Sequence, residues 1–143
     1  MKSSDDDPFK LERFVKAQDP EIQQVKIELA NGSKHGHWMW FVFPQIRGLG
    51  SSNLSQIYAI SSINEAKAFL VHPVLGARLI ECSKLVVEVD GRTAVQVFGK
   101  TDAMKFHSSM TLFCLASPET KVFRDALNKY FEGELDKSTT ALV

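Results

Sequence analysis

The longest periodic segment, residues 74–89, indicates the class of fold. Apolar side chains recur along it every three or four residues, the spacing that lines one face of an α-helix, while charged residues such as Glu81 and Lys84 fall on the other side. Similar helix boundaries recur along the chain, with Asp-Pro pairs at positions 7–8 and 19–20 and glycines after candidate helix ends. The sequence therefore predicts an all-α protein.

At 143 residues the chain is long enough to bury a hydrophobic core without disulfides or metals. It contains no internal repeat and no linker, so residues 1–143 are expected to form a single compact domain of about six to eight helices, several of them short. Residues 1–6 have no apolar side chain after Met1 and are predicted to be a flexible N-terminal tail.

Charge and composition exclude several classes of partner. Lys and Arg together number 17, as do Asp and Glu, so the sequence lacks the basic excess that binds nucleic acid or anionic membranes. A small anionic ligand held by one or two cations remains compatible with this balance. No apolar run could span a bilayer, and residues 1–10 lack the apolar core of a secretory signal. With Cys82 and Cys114 expected to be reduced and buried, we expect a cytoplasmic protein and a monomer.

Aromatic side chains are concentrated in residues 35–52, HGHWMWFVFPQIRGLGSS. The segment has neither helical nor strand periodicity, and an isolated strand would have no partner in a helical chain. We therefore predict a short buried helix or turn that ends before Pro44. Trp38 and Trp40 have two interpretations, because each could fill the core or form the wall of a pocket that stacks a planar ring.

Polar residues flank these rings. Gln45 and Arg47 follow the proline, and the guanidinium of Arg47 offers a fork of donors to a phosphate or carboxylate. Residues 48–52, GLGSS, match neither GxGxxG nor a Walker loop and are a weak phosphate signal. His35 and His37 form an HxH pair, but metal sites of that kind need further ligands, so no metal is predicted. His37 is a candidate for hydrogen bonding to a ligand.

A second candidate segment is residues 101–113, TDAMKFHSSMTLF, where a predicted helix places Asp102, Lys105 and Ser109 on one face with Ser108 beside them. In one interpretation Lys105 binds an anionic group, the serines donate hydrogen bonds and Asp102 orients the lysine. In the other, Asp102 and Lys105 form an ordinary ion pair and the serine hydroxyls bond to preceding helical carbonyls. A nucleophilic serine with Lys105 as its base is a third possibility, without an evident oxyanion hole. The residues alone leave the first two open.

Three long segments, DPFKLERFVKAQ, HWMWFVFPQIRGLG and MKFHSSMTLF, resemble those of the domain-of-unknown-function family numbered 1810, and the resemblance covers nearly the whole chain. It implies a mainly helical fold and no particular activity. Some members carry the label calpastatin, but calpastatin acts through extended disordered repeats, which this chain lacks. A departure from the family pattern is Gly36, where a serine is expected. Any ligand contact made by that serine is absent here.

Together these candidates predict a ligand site where the two later signature segments meet. The ligand is expected to be planar and anionic, such as a nucleotide or an ADP-ribose-like molecule, and the sequence leaves open whether it is hydrolysed. No catalytic residue and no cofactor is assigned. The alternative is a helical protein–protein interaction module without a small-molecule site, in which the aromatic residues are core. The predicted ligand-binding residues are His37, Trp38, Trp40, Gln45, Arg47, Asp102, Lys105, Ser108 and Ser109.

Overall fold

The computed structural model describes residues 6–143 and shows an all-α fold. Residues 1–5 lie outside the described part, and with them most of the predicted N-terminal tail. Within residues 6–143 there are ten helices, six of them with seven or more residues, so the prediction of an all-α domain with several short helices is confirmed. They are α1 (Glu12–Gln18), α2 (Ile22–Ala30), α3 (Met39–Val42), α4 (Asn53–Ile57), α5 (Ile63–Val71), α6 (Leu75–Val87), α7 (Ala94–Phe98), α8 (Lys100–Ala116), α9 (Lys121–Phe131) and α10 (Lys137–Thr140).

The longest helix, α8, lies at the centre of the packing. It contacts α5, α7, α9 and α10, while α6 packs against α2, α5 and α9. The ring centroid of Phe106 lies 5.0 Å from that of Phe43 and 4.8 Å from that of Phe98. Two turns further along α8, the ring of Phe113 lies 5.4 Å from the ring of Phe69. All five rings are buried, so the core is built around the apolar faces of α8.

Several helices begin at the capping signals that the sequence carries. At the start of α5 the Ser62 hydroxyl accepts a hydrogen bond from the Glu65 N–H, and at α7 Thr93 and Gln96 form a complete capping box. The imidazole of His72 accepts from two backbone N–H groups just before and at the start of α6. These bonds satisfy N–H groups that a helix leaves without internal partners.

Two short helices were not predicted. Helix α4 begins in the glycine-serine loop, where the Ser52 hydroxyl accepts from the Ser55 N–H, and α10 begins at Asp136 and packs against α8. Each is too short to show a helical period in the sequence. The aromatic segment forms α3 and leaves the helical conformation at Phe43, so the predicted short helix ending before Pro44 is confirmed.

None of the helices within residues 6–143 is long and apolar enough to cross a membrane. Cys82 and Cys114 are buried free thiols, as predicted. Burial, together with the negative charge of Glu81, raises the pKa of the Cys82 thiol to about 12. Cys82 is therefore protonated and unreactive at neutral pH.

Candidate functional site

The loop between α2 and α3 is organised by one buried carboxylate. Glu28 is 5% exposed, and its Oε1 accepts hydrogen bonds from the His35 N–H (2.8 Å), the Gly36 N–H (2.9 Å) and the Trp38 indole N–H (3.0 Å). Burial alone would raise the pKa of this carboxyl, but the donors of Gly36, His35 and Trp38 outweigh it and lower the pKa from 4.5 to about 2. Glu28 is therefore ionised and fixes the conformation of this loop.

This arrangement makes Trp38 part of the core. Its side chain has no exposed surface, its indole N–H is bonded to Glu28, and its ring lies 6.2 Å from that of Phe43. A ligand at the surface cannot reach it. The neighbouring Gly36 is also constrained, because an added Cβ would lie 2.7 Å from Trp38 Cδ1. The serine that the family pattern places at this position would require the Trp38 ring to move.

Lys34 joins the same loop to α8. Its ammonium donates to the Gly36 carbonyl (2.6 Å) and lies 2.7 Å from Asp102 Oδ2, and its backbone N–H donates to the Val97 carbonyl. The Lys34 side chain is only 8% exposed, so this ion pair is largely removed from water. Asp102, predicted to orient Lys105, makes its closer contact with Lys34 instead.

Lys105 brings the two signature segments together. Its ammonium lies 5.0 Å from the centroid of the Trp40 ring and 3.8 Å from Asp102 Oδ1. The first distance is that of a cation–π contact. The second is that of the i,i+3 ion pair given as the alternative in the sequence analysis, although it is too long for a hydrogen bond. Within residues 6–143 the Lys105 ammonium donates no hydrogen bond, so it is held in position with its N–H donors available. We call Trp40, Asp102, Lys105 and Ser109 the Lys105 cluster.

The two predicted serines differ in their partners. The Ser108 hydroxyl lies 3.1 Å from the Met104 carbonyl and 3.2 Å from Asp136 Oδ2, so it links α8 to the cap of α10. Ser109 lies one helical turn after Lys105 and has no exposed surface. Its Oγ and the Nε1 of Trp40 are both buried without a hydrogen-bond partner in the described part of the chain. Such orphaned polar atoms are uncommon and call for a specific explanation.

The remaining predicted residues lie outside this cluster. His37 is exposed beside Trp38, and Gln45 is half-buried with its carbonyl accepting from the Ile60 N–H. Arg47 is exposed and lines a cavity of about 370 Å³ whose other residues come from the start of the chain and the α4–α5 region. No α8 residue lines that cavity. The predicted set is therefore divided between two places on the molecule.

Two further cavities, of about 570 and 270 Å³, lie against the α5–α8 contact and beside α7, respectively. Neither Trp40 nor Lys105 lines any of the three. Among residues 6–143 no three side chains of the types that bind metals lie close enough to hold an ion. In the predicted HxH pair, the His35 ring is hydrogen-bonded to the Ser33 hydroxyl at 3.1 Å.

Sequence reasoning missed Glu28 and Lys34, which position the candidate site. In the sequence Glu28 is one of two charged residues of α2, and Lys34 belongs to an ordinary loop. The only signal available was the indole N–H of the tryptophans, which needs a buried acceptor.

These observations define the chain as a small all-α domain whose two signature segments meet where Lys105 contacts Trp40. The chain belongs to the family described as Protein of unknown function (DUF1810), which it matches over residues 8–143. It is similar to the crystal structure of the conserved hypothetical protein Rv1873 from Mycobacterium tuberculosis, with 52% sequence identity, a TM-score of 0.95, and coverage of 96% of this chain and 98% of that one. No curated protein matches the chain.

Proposed function

We propose that the protein binds a small anionic molecule at the Lys105 cluster. The observation that carries the proposal is the position of the Lys105 ammonium, which lies over the Trp40 ring and near the Asp102 carboxylate without donating a hydrogen bond to either. A cation held in this way can bind an anionic group without first breaking protein contacts and with little loss of side-chain entropy.

Two unsatisfied polar atoms, one on each of the two segments, support the proposal. Trp40 Nε1 and Ser109 Oγ are buried without partners, and a buried polar group left unpaired costs about 1–3 kcal/mol. An acceptor group of a ligand would satisfy the indole N–H after a movement of the side chains that cover it. The cluster thus has an ammonium that donates no hydrogen bond and two polar atoms without partners.

The ligand class that we propose is a nucleotide or an ADP-ribose-like molecule. Lys105 would bind its phosphate groups. One face of the Trp40 ring is covered by the Lys105 ammonium, so Trp40 positions the cation on that side. Of the predicted residues, Trp38 is core, Ser108 is bonded within the protein, and Arg47 lines another cavity.

We propose binding as the function and leave hydrolysis to a product assay. Ser109 is fully buried and the Ser108 hydroxyl is bonded to Met104 and Asp136, so neither can attack a ligand without a movement of α8. The two free thiols fit a reducing compartment, which supports the proposed location in the cytoplasm.

Tryptophan fluorescence provides a site-specific test. Titration with ADP-ribose, AMP or inorganic phosphate should change the emission of Trp40, and Lys105→Met should weaken binding about tenfold or more, since hydrogen bonds to charged groups contribute about 1.5–3 kcal/mol. Methionine keeps an apolar side chain over Trp40, so the variant should fold. Lys84→Met, on the exposed side of α6, is the matched control. Unaltered affinity in Lys105→Met would refute the proposal.

A helical interaction module is the second candidate function, and one surface favours it. Met104 and Val95 are 66% and 53% exposed beside the cavity of about 270 Å³, which has a largely apolar wall. An amphipathic helix of a partner protein would fit this surface. A pull-down should retain the partner with wild type and lose it with Met104→Glu. Equal retention by both proteins would exclude this surface.

A further inference from the structure

The cavity of about 370 Å³ beside Arg47 is a second, independent candidate for ligand binding. Its volume lies in the range typical of small-molecule sites. Apolar surface from Pro8, Phe9 and Ile57 forms part of its wall, and Ile57 is 53% exposed there. The remaining lining residues are Lys10, Arg13, Arg47, Ser61 and Glu65.

Arg13 and Glu65, two of the lining residues, are held by many hydrogen bonds. The five N–H groups of Arg13 make five hydrogen bonds, to the carbonyls of Phe9, Lys10, Ile57 and Ala59 and to Glu65 Oε2 at 2.9 Å. Glu65 is 2% exposed, and its other oxygen accepts from the N–H and the hydroxyl of Ser61. The two opposite charges therefore neutralise each other, and Arg13 has no donor left for a ligand.

Lys10 and Arg47 provide the positive charge that remains. Neither side chain forms a hydrogen bond or ion pair within residues 6–143, and both are exposed at the cavity. The backbone fixes both positions. The backbone N–H of Arg47 donates to the Ile60 carbonyl at 2.8 Å. The backbone N–H of Lys10 donates to the Asp7 carbonyl at 3.0 Å and closes a turn.

The backbone of Lys10 is strained. Its φ of +55° lies in the left-handed region, which costs a non-glycine residue about 1–2 kcal/mol. A lysine, which lines the cavity, thus stands at a position where glycine would avoid the strain. Retained strain of this kind is common at functional sites.

Ser61 indicates which kind of hydrogen-bonding group the ligand carries besides its phosphate. Its hydroxyl proton is donated to Glu65 Oε1 at 2.7 Å, so the Ser61 Oγ can only accept a further hydrogen bond. A ligand group beside it must therefore be a donor, such as a hydroxyl. The cavity thus combines two free cations, an acceptor and an apolar wall.

From this chemistry we infer that the cavity binds a phosphate monoester of a small hydroxylated molecule. Lys10 and Arg47 bind the dianionic phosphate, whose charge they match, and Ser61 accepts from a hydroxyl of the ligand body. The inference does not depend on the Lys105 cluster, since no residue is shared between the two sites.

Isothermal titration calorimetry with glycerol 3-phosphate, inorganic phosphate and glycerol tests this inference. Glycerol 3-phosphate should bind more tightly than inorganic phosphate, and glycerol alone should not bind. Arg47→Ala and Lys10→Ala should each weaken glycerol 3-phosphate binding about tenfold, while Lys84→Ala should leave it unchanged. Ser61→Ala should reduce the preference for glycerol 3-phosphate over inorganic phosphate.

Lys105→Met separates the two proposals. Glycerol 3-phosphate binding that survives Lys105→Met but not Arg47→Ala supports the cavity, whatever happens at the Lys105 cluster. The inference is overturned if glycerol 3-phosphate fails to bind, if it binds no more tightly than inorganic phosphate, or if a Lys10→Ala/Arg47→Ala protein binds it as well as wild type. Arg47 is exposed and its structural bond is made by the backbone, so the Arg47→Ala protein should fold.

Discussion

Replacing Glu28 with glutamine should remove the charge that organises the loop before α3. One carboxylate oxygen accepts three hydrogen bonds, from His35, Gly36 and Trp38, and the other accepts from the Gln24 side chain at 3.2 Å. In Glu28→Gln the neutral oxygen is a weaker acceptor for the three donors. If the amide oxygen of the introduced glutamine faces these three donors, its NH₂ group faces the NH₂ group of Gln24, and two hydrogen-bond donors are then opposed.

The size of the effect follows from the pKa of Glu28. The pKa is lowered from 4.5 to about 2 in the folded protein, a difference that corresponds to about 3 kcal/mol of stability. Because the folded-state pKa is the lower one, this contribution is complete above pH 4.5 and is lost as the pH falls towards 2. We expect Glu28→Gln to lower the free energy of unfolding by about 2–3 kcal/mol at pH 7 and by much less at pH 2.

Urea unfolding followed by far-ultraviolet circular dichroism at both pH values measures this difference. Glu81→Gln is the matched control, since the Glu81 side chain is 53% exposed in its pair with Lys26 and should contribute about 0.5 kcal/mol or less. An equal loss of stability at pH 7 and pH 2 in Glu28→Gln would show that the hydrogen-bonded charge is not what stabilises the loop.

Three further predictions concern stability and reactivity. Glu132 has a φ of +56° after α9, so Glu132→Gly should raise the free energy of unfolding by about 0.5–1 kcal/mol in urea; a lower stability would contradict the assigned conformation. An added Cβ on Gly76 would lie 2.0 Å from the Leu70 carbonyl oxygen, so Gly76→Ala should lower the free energy of unfolding by at least about 1–3 kcal/mol. A Gly76→Ala protein as stable as wild type would argue against this close approach of α5 and α6. With its pKa raised to about 12, Cys82 should not react with Ellman's reagent at pH 8 until the protein unfolds; rapid reaction of the native protein would contradict its burial.

The local rules of helix formation account for most of the fold. The capping residues Ser62 and Thr93 and the amphipathic segment at α6 lie where the helices begin and run, because these signals act within one or two turns. Helices α4 and α10 escaped prediction since their stability depends on caps and tertiary contacts rather than on a periodic apolar face.

The candidate site was predictable only in part. The meeting of Trp40 with Lys105 joins two segments that had been singled out by their residue types. The partners of Trp38 and Asp102 could not be read from the sequence, because Glu28 and Lys34 reach them through the turns of an irregular loop.

The position of Arg47 shows the same limit. A parallel bridge pairs Ile46 with Ile60, and it brings the next residues, Arg47 and Ser61, close together. The local sequence contains no pattern that predicts this pairing. Long-range hydrogen bonds of this kind depend on the whole fold rather than on neighbouring residues.

A crystal soaked with ADP-ribose, together with a parallel titration in solution, examines the proposed function at atomic level. We expect a phosphate oxygen at about 2.7–2.9 Å from the Lys105 ammonium, the distance of a charge-assisted hydrogen bond. An acceptor should also lie within hydrogen-bonding reach of Trp40 Nε1. Saturable binding in solution with the ligand located away from Lys105, or no binding in either experiment, would contradict the proposed function.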